Sequence, residues 1–215
     1  ALRVFRGAQF AARFQMRLSD DTKQLCQSID TKYLSPERIE DELKKALLKA
    51  YKPSIFFETL REINQLDDWF KELTQLVDLP QNPVYHPEGD VWTHTMMVLD
   101  AAVTYRHLCE NPYHFMMAAL CHDLGKIEAT EFIKGAYHAY GHEIKGLKIA
   151  TTFLARFTKE KQLIDGHIVV DDYNMNLLKC NEGEKILIDA PYNKNENRFK
   201  RYNNLFEYVD SLKQE

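Results

Sequence analysis

The chain has 215 residues, 45% of them hydrophobic and 28% charged, with a net charge of −4. That length accommodates one or two domains with a sizeable core, and the mixture is that of an ordinary water-soluble globular chain. No apolar run reaches the length of a bilayer span, so no membrane partner is expected, and any contact with nucleic acid must come from a local basic patch, not from global charge.

The N-terminal stretch ALRVFRGAQFAARF reads as an amphipathic helix with surface arginines and lacks the uninterrupted apolar core of a signal peptide. Ser35-Pro36-Glu37 then predicts a helix start, with Ser as cap, Pro in the first turn and an acid at the positive dipole end. Ile39, Leu43, Leu47 and Ala50 follow at helical spacing. Lys52-Pro53-Ser54 breaks that helix, with Ser54 as the next cap and Ile55, Leu60, Ile63, Leu66 and Phe70 as an apolar face. The loop Asp78 to Asp90 holds three prolines and a glycine and is the best boundary.

Three more helical segments follow. One runs from Val91 to about Leu108. The second starts at Asn111-Pro112 and ends at His122-Asp123 with Gly125 just past it, and the third runs from His142 to about Phe157. Lys185 to Pro191 has the pattern of a short strand, Asn193 to Asn204 is polar and locally basic, and LFEYVDSLK reads as a last helix. The overall class is all-α. Cys26, Cys109, Cys121 and Cys180 are scattered without a CxxC pair, as expected of reduced thiols in a cytoplasmic protein.

The chemistry concentrates in three places. His94 shares a helical face with Val91, Val98 and Ala101 and is expected to point to the core. His122 follows Ala118 and Ala119 on the expected buried side of its helix with Asp123 beside it; the small Ala118, Ala119 and Gly125 leave room for a ligand to approach, and a buried carboxylate is costly unless a cation or metal pairs with it. His142 opens the third helix, where Gly141 leaves access, and the loop residues His86 and Glu88 either border the site or belong only to a loop shaped by Pro87 and Gly89. A lone His-Asp pair arises by chance about once in several hundred residues at average usage; it is the set of three, each on its own helical segment, that points to a divalent metal. Imidazoles supply nitrogen and the carboxylate offsets charge, a mixture suited to manganese, nickel, cobalt, iron, zinc or magnesium. With no cysteine nearby, a structural zinc site is not expected.

The same residues carry a resemblance. His94, HDLGK from His122 and His142 resemble the HD superfamily of metal-dependent phosphohydrolases, which are all-helical. HPEGDVWTHTMMVLDAA followed by AALCHDLGK and GHE resembles, more specifically, the HD domain in the C-terminal part of bacterial CCA tRNA nucleotidyltransferases. ALRVFRGAQFAARF resembles the segment that joins the catalytic head of those enzymes to their helical body, and SPERI, EL, LLKA and KPS follow the body. There a Glu-Asp-x-x-Arg motif reads the base of the incoming nucleotide. Arg3 matches its Arg, so the resemblance implies nucleotide binding by Arg3 in a parent enzyme and a chain that begins in mid-motif, without the head.

The resemblance implies residues 1–79 as neck and body, 80–180 as the HD domain and 181–215 as a divergent tail. It implies His94, His122, Asp123 and His142 as metal ligands and His122, Asp123 and Lys126 as catalytic, with Lys126 holding substrate phosphate; the alternative for Lys126 is a surface lysine favoured by a helix C-terminus. Family members carry a further His where this sequence has Asn174; His167, Asp171 and Asp172 lie close by. Asp171, Asp172, Asp189 and Asp210 are all available as the superfamily's late Asp ligand.

The favoured expectation is hydrolysis of phosphate esters, as a phosphatase or 2′,3′-cyclic phosphodiesterase, with tRNA or a nucleotide phosphate ester as partner. The alternatives are a catalytically weakened scaffold that binds tRNA and a free-standing HD nucleotide phosphohydrolase.

Overall fold

The computed structural model describes residues 1–157 together with 168–171, 184–188, 198 and 200–202. It divides into two compact units, Ala1–Lys159 and Glu160–Glu215. The described residues of the first unit are mostly helical, in keeping with the all-α expectation.

Helix α1 (Leu2–Phe14) buries Val4, Phe5, Ala8, Ala11 and Ala12 and leaves Arg3 exposed in its first turn. Helix α2 (Asp20–Gln27), absent from the sequence reading, is capped by Ser19, whose oxygen accepts from the Thr22 amide. Helix α3 (Pro36–Lys49) starts where predicted, although the Ser35 side chain makes no capping bond and Pro36 alone pre-sets the first turn. Its predicted apolar face, Ile39, Leu43 and Leu47, is fully buried.

The helix expected over Ser54 to Phe70 is two helices, α4 (Ser54–Glu62) and α5 (Asp67–Thr74). Asn64 breaks them with a left-handed backbone (φ 55), a conformation that Asn tolerates better than most residues. Ser54 is not a cap acting on its own helix. Its amide and hydroxyl both donate to the Asp100 carboxylate, at 2.9 and 2.7 Å. The predicted apolar face survives the break because both helices turn toward one aromatic cluster. Phe70 meets Phe56 and Phe57 edge-on and stacks on Phe157 at 5.3 Å.

Helix α6 (Val91–Ala102) is shorter than predicted, giving way to a 3₁₀ turn at Arg106–Leu108. Helix α7 (Pro112–Cys121) is capped by Asn111, as expected. A short helix α8 (Lys126–Ala129) leads into a hairpin of β1 (Glu131–Ile133) and β2 (Ala136–His138), antiparallel with Glu131 opposite His138. Lys134 and Gly135 both have positive φ, the geometry that closes a two-residue hairpin turn. Helix α9 (His142–Phe157) has the predicted bounds.

Helices α1 and α3 pack together, α3 contacts α7 and α9, and α6 lies on α7 and α4. Arg156 of α9 clamps the buried Glu72 of α5 through two bonds of 2.9 and 2.6 Å and also donates to the Trp69 carbonyl. Among the described residues, no helix is long and apolar enough to cross a membrane.

The second unit contains β3 (Ile168–Asp171), β4 (Glu184–Ile188) and β5 (Lys200–Tyr202), paired in parallel in the order β3-β4-β5. β4 is the strand expected at Lys185. The expected last helix, Cys180, Asn174, His167, Asp172, Asp189 and Asp210 lie outside the described residues. Asp171 ends β3. Cys26, Cys109 and Cys121 are free thiols.

Candidate metal centre

The site is assembled around Asp123, whose side chain is 4% exposed. Helix α7 ends at Cys121, His122 is its C-cap, and the turn that follows swings Asp123 inward. Four cationic or potentially cationic groups meet its carboxylate. His122 Nε2 lies 3.2 Å and His94 Nε2 3.7 Å from Oδ2, and His142 Nε2 lies 3.4 Å from Oδ1. Lys126 Nζ lies 2.8 Å from Oδ2. Oδ2 is enclosed and still receives no well-aligned hydrogen bond, since these approaches are off-axis.

The orientation of the three rings follows from their other nitrogens. His122 Nδ1 is 2.9 Å from the Ala119 carbonyl and His142 Nδ1 is 2.8 Å from the Ala139 carbonyl. His94 Nδ1 is 2.6 Å from Glu88 Oε1. Carbonyls and carboxylates only accept, so each Nδ1 is the donor. In the neutral ring Nε2 is then left as a lone pair, the state that binds metal. Three lone pairs facing one carboxylate repel it, so the arrangement calls for added protons or for a cation among them. His94, His122 and Asp123 each offer a ligand atom within 4.8 Å of the others. His142 meets the opposite oxygen of Asp123 and stands outside that triad. A neutral imidazole pair plus one carboxylate fits a divalent metal, and the enclosed, poorly bonded Oδ2 is the atom such an ion would satisfy.

Burial pushes the Asp123 carboxyl upward, but His122 and His142, which can donate to it through Nε2 once protonated, and the charges of protonated His122 and of Lys126 outweigh burial and hold it well below the carboxylate range. Burial lowers His94, against the opposing pull of Glu88. At His142 burial also favours the neutral ring, yet Asp123 and Glu143 win and raise it. Glu88 is disfavoured as an anion by burial, but its own amide, His86 and His94 bring it down to about 2.

Several expectations change. His94 does not enter the core; α6 buries Val91, Trp92, Thr95, Met96 and Leu99, and His94 sits half-buried on the flank that faces Asp123. His122 is exposed, not on the buried side of α7. Lys126 is buried at the start of α8, bonded to Gln81 Oε1 at 2.7 Å as well as to Asp123, so it is no surface lysine. Gly125 does not end a helix in a left-handed turn: its φ is −67. It is small because the backbone of α9 lies against it. A Cβ there would overlap the His142 carbonyl and lie 2.5 Å from the Gly146 amide. Gly141 turns the chain into α9 with φ +73. Arg3, on α1, is not among the residues meeting Asp123.

Two contributors came from the loop, His86 and Glu88, which the sequence placed at its border, and a third, Gln81, was missed. Its signal was position alone: it lies within the proline-rich stretch that leads to the His94 helix.

The multifunctional CCA protein of Actinobacillus pleuropneumoniae is 37% identical to this chain over 188 residues, 84% of the chain and 45% of that protein. That of Pasteurella multocida is 35% identical over 189 residues, covering 84% and 44%. That of Cupriavidus metallidurans is 34% identical over 186 residues, covering 84% and 43%. Over the matched stretch the chain is similar to the multifunctional CCA proteins. The chain spans less than half the length of these relatives. The likeness agrees with the one carried by the motifs around His94 and His122. No protein-family profile and no solved structure matches.

Proposed function

We propose that this chain is the C-terminal part of a CCA-type tRNA nucleotidyltransferase and that residues 80–180 form an HD-type, metal-dependent phosphohydrolase domain behind a neck and body of residues 1–79. The observation that carries the proposal is the convergence of three Nε2 atoms, each ring anchored through Nδ1, on one buried carboxylate. His94, His122 and Asp123 would hold the ion, with His142 against the other oxygen of Asp123. A divalent ion supplies Lewis acidity toward phosphate oxygens and makes water a better nucleophile at neutral pH.

The chain's own residues do the rest. His122 is exposed and His94 half-buried, and each ring is tied through its Nδ1, so the centre is open to solvent at His122 while both rings keep their orientation. Lys126 adds a fixed positive charge where a phosphate dianion would gather negative charge. A phosphate monoester or a 2′,3′-cyclic phosphodiester of a nucleotide or RNA end is the substrate class.

Metal content measured on protein purified without chelator tests the proposal. About one or two equivalents of manganese, nickel, cobalt, iron or zinc in the wild type, lost in His122→Ala, is expected, with metal-dependent hydrolysis of 2′,3′-cyclic AMP or p-nitrophenyl phosphate. No binding after soaking in manganese or nickel would overturn it.

A second reading, a tRNA-binding scaffold, is favoured by Arg3, Arg6, Arg13 and Arg17, which occupy the first 19 residues without a single acid. Strong salt-dependent tRNA binding with no metal-dependent turnover is the result that reading expects.

A further inference from the structure

Glu88 lies in the loop between α5 and α6, six residues before His94. The loop is braced from several sides. Asp90 accepts from the Thr93 amide at 2.9 Å and from the Asp78 amide at 2.7 Å. Gln81 Nε2 donates to the Gly89 carbonyl, and the His86 amide donates to the Asn82 carbonyl at 2.9 Å. Gly89 takes φ +120, a backbone state open to glycine, and brings Glu88 back toward α6. One oxygen of Glu88 then receives both His94 Nδ1, at 2.6 Å, and His86 Nδ1, at 3.0 Å. The His86 and His94 rings meet edge to face with centroids 4.8 Å apart.

His86, Glu88 and His94 also offer ligand atoms within 4.8 Å of one another. A metal among them would need the Nδ1 lone pair of His94. A neutral ring has only one lone pair to offer, and that ring turns Nε2 toward Asp123. Two donors on one carboxylate oxygen account for the geometry without an ion. A carboxylate behind a ligating imidazole fixes its tautomer and raises its basicity.

We infer that Glu88 is a positioning residue: it holds His94 in the Nδ1–H tautomer, with Nε2 facing Asp123, while His86 anchors the same carboxylate oxygen. The metal-affinity part of this inference rests on the proposed metal centre; the tautomer part does not.

The test uses the full 215-residue chain as wild type, Glu88→Ala and Glu88→Gln, the last retaining an acceptor oxygen without charge. Imidazole ¹⁵N shifts of the metal-free protein report the His94 tautomer, and titration with cobalt reports affinity. Expected are a single Nδ1–H tautomer in the wild type, a mixed population in Glu88→Ala and recovery in Glu88→Gln. Cobalt affinity is expected to fall about 10- to 100-fold in Glu88→Ala and less in Glu88→Gln. Circular dichroism identifies any variant that does not fold; if Glu88→Ala is lost, Glu88→Leu, of similar volume but without an acceptor, carries the test, with the same mixed tautomer population expected. A merely structural Glu88 would shift the melting temperature and leave tautomer and affinity where they were; that outcome overturns the inference. If the wild type binds no cobalt, the metal reading fails, and the tautomer shift alone decides the role of Glu88.

Discussion

At the scale of single residues, the site rests on local acceptors that fix side-chain direction. Ala119 O, Ala139 O and Glu88 Oε1 decide which nitrogen of each ring faces Asp123. Neither backbone carbonyl was readable as such, because a carbonyl has no sequence signature, and the partner of Glu88 was not readable because the loop's path is not. Asp90 belongs to the same scale: it caps α6 and pins the Asp78 amide. Burial raises its pKa, but the bonds from Thr93 and Asp78 and the nearby Arg61 prevail and hold it below the ordinary aspartate value. A carboxylate with a depressed folded pKa stabilises the fold above its unfolded pKa, and that stability is lost as pH falls through the folded value. Asp90→Ala is therefore expected to cost about 1 kcal/mol at neutral pH. The gap to wild type should shrink below about pH 4. Urea melts of both proteins at pH 7 and pH 3 check this.

At the scale of elements, the decisive contact is backbone on backbone. Gly125 lets α9 start against the α7–α8 turn, which is what delivers His142 to Asp123. Gly125→Ala would force His142 and Gly146 away. Destabilisation of about 3 kcal/mol or more is expected from overpacking against atoms that have no rotamer to give. Metal affinity should fall as well, although no ligand is changed. Denaturant melts and a cobalt titration of the same variant measure both effects. Sequence alone supplied the small residues at 118, 119 and 125 and the idea of access for a ligand. The occupant of that space at Gly125 is the neighbouring helix, a fact that only packing could disclose.

At the scale of the whole first unit, an aromatic core centred on Phe70 gathers α4, α5 and α9, while the Glu72–Arg156 clamp ties α5 to the end of α9. Since α9 also carries His142, the core and the proposed metal centre share one rigid element. A ligand that binds only the folded state stabilises it by mass action. Cobalt at about a hundredfold excess over its dissociation constant should therefore add about 2.7 kcal/mol. For a chain of this size that is a rise of about 5–10 °C in melting temperature. The same addition should leave His122→Ala unmoved. Calorimetric scans of the two proteins with and without cobalt decide it, and an equal rise in both would place the binding elsewhere.

What the sequence determined by itself were the features that depend on near neighbours along the chain. Helical periodicity placed the apolar face of α3, Asn111-Pro112 marked the start of α7, and His142 to Phe157 bounded α9. Motif spacing singled out His94, His122, Asp123 and His142. It failed where distant segments settle the outcome. The break at Asn64 is hidden inside one continuous apolar pattern, because both helices serve the same core. The flank position of His94, the exposure of His122 and the burial of Lys126 depend on which faces α6, α7 and α8 cover. Only the tertiary structure brought Gln81 to Lys126, Glu88 to His94 and three imidazoles to one carboxylate. Electrostatic interactions and close packing act through space, whereas a sequence pattern records only separation along the chain.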